Sequence, residues 1–185
     1  MMFALFVLAI LVVAVVWLVS IYNGLVGARN EVRNSWSQID VQLKRRHDLI
    51  PNLMETVKGY MGHERGTLEA VTRARQQAIE IKGGIEDRAK AENALSQTLR
   101  SLFAVAESYP DLKANQNFLA LQEELTSTEN KIGFARQYYN DSVLRLNNRI
   151  QMFPSNLIAG MFGFQPEGFF QTETPEERQA PQVRF

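Results

Sequence analysis

The first nineteen residues, Met1 to Val19, read MMFALFVLAILVVAVVWLV without a single polar side chain. A helix needs about 20 such residues, each rising about 1.5 Å, to cross the hydrocarbon of a bilayer. A helix packed on a core in water keeps a polar face, and this run has none. Trp17 and Tyr22 stand at its far end, where amphipathic rings favour the headgroup layer. Residues 1–22 therefore read as a membrane anchor, with Phe3, Leu5, Leu8, Ile10, Val13, Trp17 and Tyr22 meeting lipid. The alternative, a cleaved signal peptide, requires a basic leader, a shorter apolar stretch and a small-residue cleavage site. No Lys or Arg precedes the run, and the nearest fitting tripeptide, Val26-Gly27-Ala28, lies late.

Charge is segregated accordingly. Residues 1–28 carry no charged side chain, so all twenty Lys+Arg and all twenty Asp+Glu fall in the remainder of the 185-residue chain. Basic residues begin only past the span, at Arg29 and Arg33 and then Lys44-Arg45-Arg46, which by the positive-inside rule places the bulk of the chain in the cytoplasm. A net charge of zero argues against a dedicated nucleic-acid binder, and no nucleic-acid partner is expected. The absence of Cys excludes disulfides, thiolate metal sites, a cysteine nucleophile and lipid carried on an N-terminal Cys.

Beyond the anchor, apolar residues recur at steps of three and four. Trp36, Ile39, Leu43, Ile50, Leu53, Val57 and Tyr60 keep one face, with Arg46 the polar intruder. The stripe continues through Pro51, which either kinks a continuous helix or starts a new one after a break near Asp48; the unbroken phase favours the kink. Gly83-Gly84 stops this helix. A second run carries Ala91, Leu95, Leu99 and Leu102 and ends before Pro110. A third carries Phe118, Leu121, Leu125, Thr128, Ile132, Ala135, Tyr139, Val143, Leu146, Ile150 and Phe153. No two-residue alternation marks a strand.

The expected fold is all-α: an N-terminal transmembrane helix followed by an antiparallel bundle of long helices over 23–153, the helices lying at about 24–82, 85–108 and 112–153. At about 1.5 Å per residue they would measure roughly 90, 35 and 60 Å, too unequal for the later two to cover the first. The stripe of Trp36, Ile39, Leu43, Arg46, Ile50 and Leu53 is thus a candidate surface for a homo-oligomer or a membrane-protein partner. Arg46 on that stripe either pairs with an acidic residue of another helix or faces water.

Residues 154–170 form an aromatic turn with Phe162, Phe164, Phe169 and Phe170, which either caps the bundle or presents an apolar patch to lipid or another copy. Residues 171–185 are polar and Pro-containing and read as a disordered tail. Tyr138 and Tyr139 lie in the third helix as packing residues. His63-Glu64 lacks the second His that a zincin helix places four residues on, where Thr67 stands, and His47 is too distant along a helix to share an ion. No phosphate loop or nucleophile elbow is present. No enzymatic activity, cofactor or metal is expected.

Several ordered blocks carry a family resemblance. They are Tyr22-Asn23-Gly24-Leu25-Val26, Trp36-Ser37-Gln38-Ile39-Asp40-Val41-Gln42-Leu43-Lys44-Arg45-Arg46 and Asp48-Leu49-Ile50-Pro51-Asn52-Leu53. Val57-Lys58-Gly59-Tyr60, His63-Glu64, Ala74-Arg75, Ala135-Arg136-Gln137-Tyr138-Tyr139-Asn140-Asp141 and Phe153-Pro154-Ser155-Asn156-Leu157-Ile158-Ala159 continue the series, with Phe162-Gly163-Phe164 after them. From about residue 20 to 170 the chain resembles the LemA family. A Tyr that relatives tend to carry near Leu146-Asn147 is missing. The resemblance implies a bacterial protein with a single N-terminal membrane helix in the cell (inner) membrane, an all-helical antiparallel domain and no established enzymatic activity. It implies a cytoplasmic domain; relatives with Lys-rich or lipoprotein starts imply the extracytoplasmic alternative. The expected role is a membrane-anchored, self-associating scaffold or adaptor, the alternative a regulatory partner of a membrane protease or other envelope machine.

Overall fold

A computed structural model of the chain describes residues 1–170. The tail expected at 171–185 lies outside the described residues. Six helices follow in order: α1 Met2–Lys58, α2 Arg65–Glu80, α3 Ile85–Ala106, α4 Pro110–Lys113, α5 Gln116–Gln151 and α6 Ser155–Met161. No strand occurs among the described residues. The fold is all-α with an N-terminal transmembrane helix, since α1 is the one helix among them long and apolar enough to span a bilayer. Phe3, Leu5, Leu8, Ile10, Val13 and Trp17 are all exposed on it.

The chain forms two compact units. The first joins Met1–Asp40 with Phe134–Gly168, and the second consists of Val41–Gly133 with Phe169 and Phe170. In the first unit, α1 contributes a seam of Leu25, Ala28, Val32, Ser35 and Ile39, all buried, at alternating steps of three and four. Buried residues of α5 in that unit include Tyr139, Val143 and Leu146. In the second unit, Ile50, Leu53, Met54 and Val57 of α1 share a core with Leu68, Val71, Ala74 and Ala78 of α2 and with Leu95, Leu99 and Leu102 of α3. Leu112 of α4 and Phe118 and Leu125 of α5 complete it.

Two helix boundaries and one buried face differ from the sequence expectation. The first helix does not run to residue 82: it ends at Lys58, and α2 starts afresh at Arg65. Gly59, Gly62 and Gly66 each weaken a helix by roughly 1 kcal/mol relative to Ala, and the break lets Met61 bury in the turn while α2 packs against α3. The third helix starts at Gln116, where the Asn115 side chain caps it by accepting from the Phe118 N–H at 3.1 Å; Pro110–Lys113 forms a separate turn. The buried face of α3 includes Glu92, whereas Ala91 is only half-buried.

Pro51 lies inside α1 without ending it. Its missing N–H leaves the carbonyl of His47, four residues back, without its helical donor. The Nε–H of Arg75 in α2 donates to that oxygen at 2.8 Å. The helix therefore continues through proline because a neighbouring helix supplies the absent hydrogen bond.

The uncovered-stripe expectation is overturned. Ile39, Leu43, Arg46, Ile50 and Leu53 are at most 1% exposed within this chain alone, and Trp36 is half-buried. A first helix reaching residue 82 would outrun its neighbours. With α1 ending at Lys58, α2, α3 and α5 suffice to bury its inward face.

Candidate functional site

Two constellations concentrate the polar and aromatic chemistry, one in each unit. In the second unit, Arg46 is wholly buried, and its charge is matched by acids from two other helices. Its Nη2 donates to a carboxylate oxygen of Glu92 and to the Glu92 main-chain carbonyl at 3.3 Å. Its Nη1 donates to Glu129 at 2.5 Å and to the Ser96 hydroxyl at 2.7 Å, and Ser96 in turn donates to the other Glu129 oxygen at 2.9 Å. His47 closes the group with Nε2 at 3.2 Å from Glu92 Oε1.

A fork of guanidinium donors matched to two carboxylates is the arrangement that makes a buried cation tolerable. Burial alone would raise the Glu92 carboxyl; the hydrogen bond from His47 and the Arg46 guanidinium outweigh it and hold the group below its ordinary range. Beside the network lies a cavity of about 230 Å³ lined by Arg46, Ser96, Leu99, Arg100, Phe103, Leu125, Thr126, Glu129 and Asn130. Arg46, Glu92 and Glu129 are engaged with one another, so the network acts as a polar key between three helices. No group of three His, Cys, Asp or Glu side chains among the described residues is placed to hold a metal ion; His63 is exposed, whereas His47 is buried.

The first unit holds the membrane-proximal constellation. Tyr22 meets Phe162 with ring centroids 4.7 Å apart and Phe164 edge-on at 6.0 Å. Arg29 lies over the Phe164 ring, 5.0 Å from its centroid. Leu25, Ile158, Ala159 and Phe164 form a small core, with Ile21, Val26 and Ile150 against it. Arg149 near the end of α5 donates to the Gly24 carbonyl at 2.5 Å. A Schellman motif stops α6: Gly163 adopts φ +68°, its N–H reaches the Gly160 carbonyl and the Phe164 N–H reaches the Ala159 carbonyl at 2.9 Å. That reversal sends Phe164 back onto Ala159 and the core.

Further along, Trp36 and Tyr139 meet edge-to-face at 5.5 Å. The buried Tyr139 hydroxyl donates to the Gly168 carbonyl at 2.9 Å. Burial first, and then the Glu167 charge, push its pKa up to about 12. Asn147 holds the returning chain from both sides, donating to the Glu167 carbonyl and accepting from the Glu167 N–H, each at 2.9 Å. Tyr138 is exposed and donates to Glu31, which also pairs with Arg145 at 2.7 Å.

The sequence-predicted residues therefore separate into three groups. Phe164 and Phe170 are buried, whereas Phe162 and Phe169 are exposed. Ile39, Leu43, Arg46, Ile50 and Leu53 are core, not an oligomer surface. Trp36 and Tyr139 touch each other, a pairing their separate positions did not announce. Glu92 was missed as the partner of Arg46. Its signal was available, because it stands three residues before Leu95 and seven before Leu99, on the apolar face of α3.

The LemA family model matches residues 35–185. The chain is 27% identical to Protein LemA of Metamycoplasma hominis over 154 residues, covering 83% of this chain and 70% of that protein. It is 24% identical to magnetosome protein MamQ 2 of Paramagnetospirillum magneticum over 175 residues, 81% of this chain and 64% of the relative. Magnetosome protein MamQ of Magnetospirillum gryphiswaldense matches at 24% over 174 residues, 80% and 64%. The chain thus spans somewhat less than two thirds of the magnetosome relatives' length. With a match over most of its residues, this chain belongs to the LemA family.

Proposed function

We infer that the protein is a single-pass, non-catalytic adaptor of the bacterial cell (inner) membrane, holding a helical domain at the cytoplasmic face for other proteins to engage. The observation that carries this reading is the continuity of α1. One helix supplies the bare apolar span up to Val19 and, from Leu25 onward, the buried seam of the first unit, with no linker between them. Arg29 and Arg33 directly after the span support the cytoplasmic orientation. Relatives named as magnetosome proteins, not for a reaction, support a structural role.

The buried stripe on α1 removes the surface on which self-association was first expected. Partner proteins then engage the polar outer faces of the bundle, and any homo-oligomer forms through other residues. Three measurements on the intact protein test this. Alkaline extraction leaves it in the membrane pellet, and a topology reporter fused at the C-terminus reads cytoplasmic. Mass measurement in detergent finds a species that carries a second membrane protein. Release by alkali, an extracytoplasmic reporter, or a pure homo-oligomer lacking any partner overturns the corresponding part of the reading.

A further inference from the structure

The short helix α6 is apolar on two faces. Ile158 and Ala159 turn inward onto Leu25. On the other side Leu157 and Met161, four residues apart, are 59% and 78% exposed; Phe153 just before the helix and Phe162 just after it are 78% and 60% exposed. Met152, next after α5, is 64% exposed. Large apolar side chains exposed together in one short stretch mark a surface that meets a partner or a membrane.

Their place in the first unit sets them beside the span. The Phe162 ring lies 4.7 Å from that of Tyr22, and Arg149 at the end of α5 reaches the Gly24 carbonyl. Tyr22 is three residues past Val19, the last residue of the apolar run, so about 4.5 Å further along the helix axis. The headgroup layer is about 5–8 Å deep on each side of the hydrocarbon. The exposed face of α6 therefore lies at the depth where the surrounding medium is lipid headgroup and upper acyl chain.

We propose that α6 with Phe153 and Phe162 is a second, interfacial membrane contact, seated in the lipid headgroup region beside the span. Large apolar side chains standing among Ser155, Asn156 and Gly160 suit that layer, where apolar groups are buried while polar groups stay hydrated. The contact adds a second point of attachment to the span, which fixes the rotation of the first unit about the anchor as well as its depth. It rests on the reading of Met1–Val19 as a retained span.

The chain contains no cysteine, so single-cysteine spin labels report depth directly. The full chain is reconstituted in phosphatidylcholine–phosphatidylglycerol vesicles with labels at Phe153→Cys, Leu157→Cys or Met161→Cys. Phe134→Cys, equally apolar and 73% exposed in the same unit, is the aqueous control, and Val13→Cys reports the span. The expected result is that oxygen relaxes the labels on and beside α6 more than a water-soluble nickel chelate does, the reverse of the order at residue 134. Labels at 157 and 161 as open to the chelate as residue 134 overturn the proposal. So does shielding from both reagents, with spin–spin broadening identifying a second copy as the cover. A lipid-exposed Val13 label beside aqueous α6 labels sinks this contact alone; an aqueous Val13 label sinks the span on which it depends.

Discussion

The Nε–H of Arg75 donates to the main-chain carbonyl of His47, the oxygen that Pro51 leaves without a helical donor. A proline in one helix and an arginine in another are thus one structural device, separated by twenty-four positions in sequence. It requires that the effects of the two residues on stability be coupled. Arg75→Ala should cost about 1–3 kcal/mol by stranding a buried acceptor. In a Pro51→Ala background, where the amide of residue 51 can close the helical bond itself, the same substitution should cost less. A double-mutant cycle by denaturant unfolding in detergent checks this, and strictly additive effects would refute the coupling.

The Arg46 network predicts an asymmetry. Arg46→Ala should destabilise by about 3–5 kcal/mol, because Glu92 is then left buried without its cation. Replacing both partners, Arg46→Met with Glu92→Leu, should recover most of that loss, since an apolar pair of similar volume removes both desolvation costs. Thermal unfolding of the two variants beside the parent protein separates the outcomes. A double variant no better than Arg46→Ala would mean that the network specifies the packing beyond its charges.

Glu92 also sets an acid limit. Its carboxyl is held below the ordinary glutamate value of 4.5, so the unfolded chain takes up that proton first as the pH drops. The stabilisation it gives is full above 4.5 and is lost as pH falls through the lower value of the folded state. Stability measured from pH 7 down to pH 3 should decline, and Glu92→Gln should flatten the decline below 4.5. An unchanged slope in that variant would assign the acid sensitivity to other carboxylates.

Tyr139 sets the alkaline counterpart. Its phenol ionises at about 12 in the folded protein against 10.0 ordinarily, so its stabilisation is present below 10.0 and is lost as pH rises through the folded value. Absorbance titration should show a late phenolate phase that Tyr139→Phe removes. The same substitution should cost about 1 kcal/mol at neutral pH through the lost hydrogen bond to Gly168.

Gly163 carries the reversal after α6. Gly163→Ala forces a side chain into the left-handed region, at a cost of about 1–2 kcal/mol, and loosens the return of Phe164 onto Leu25. Proteolysis should then cut near Phe164 faster than in the parent protein. Equal cleavage rates would show that Tyr22 and Arg29 hold Phe164 without help from the turn.

How much of this was legible follows the range of the forces involved. Helices and their inward faces were readable because burial imposes the spacing locally, as Leu43, Ile50 and Leu53 illustrate. The anchor was readable because lipid acts on every residue of the run. The break after Lys58 was half-readable: the glycines were visible, but the gain from laying α2 on α3 depends on residues far along the chain. The mates of Arg46 and of the His47 carbonyl were not legible, since a lone charge says that it needs a partner but not which one. The covering of the Trp36-to-Leu53 stripe is hidden for the same reason, because tertiary packing interrupts the pattern from which a helix length is read.

The unjointed passage of α1 from lipid into the first unit makes bilayer thickness a variable the domain must answer to. A flexible tether would absorb a membrane a few ångströms too thick or too thin. Here the mismatch has to be met by tilting span and unit together or by deforming the surrounding lipid, each at a modest cost per ångström. Bilayers whose thickness matches the span are therefore expected to hold such a molecule at the lowest cost.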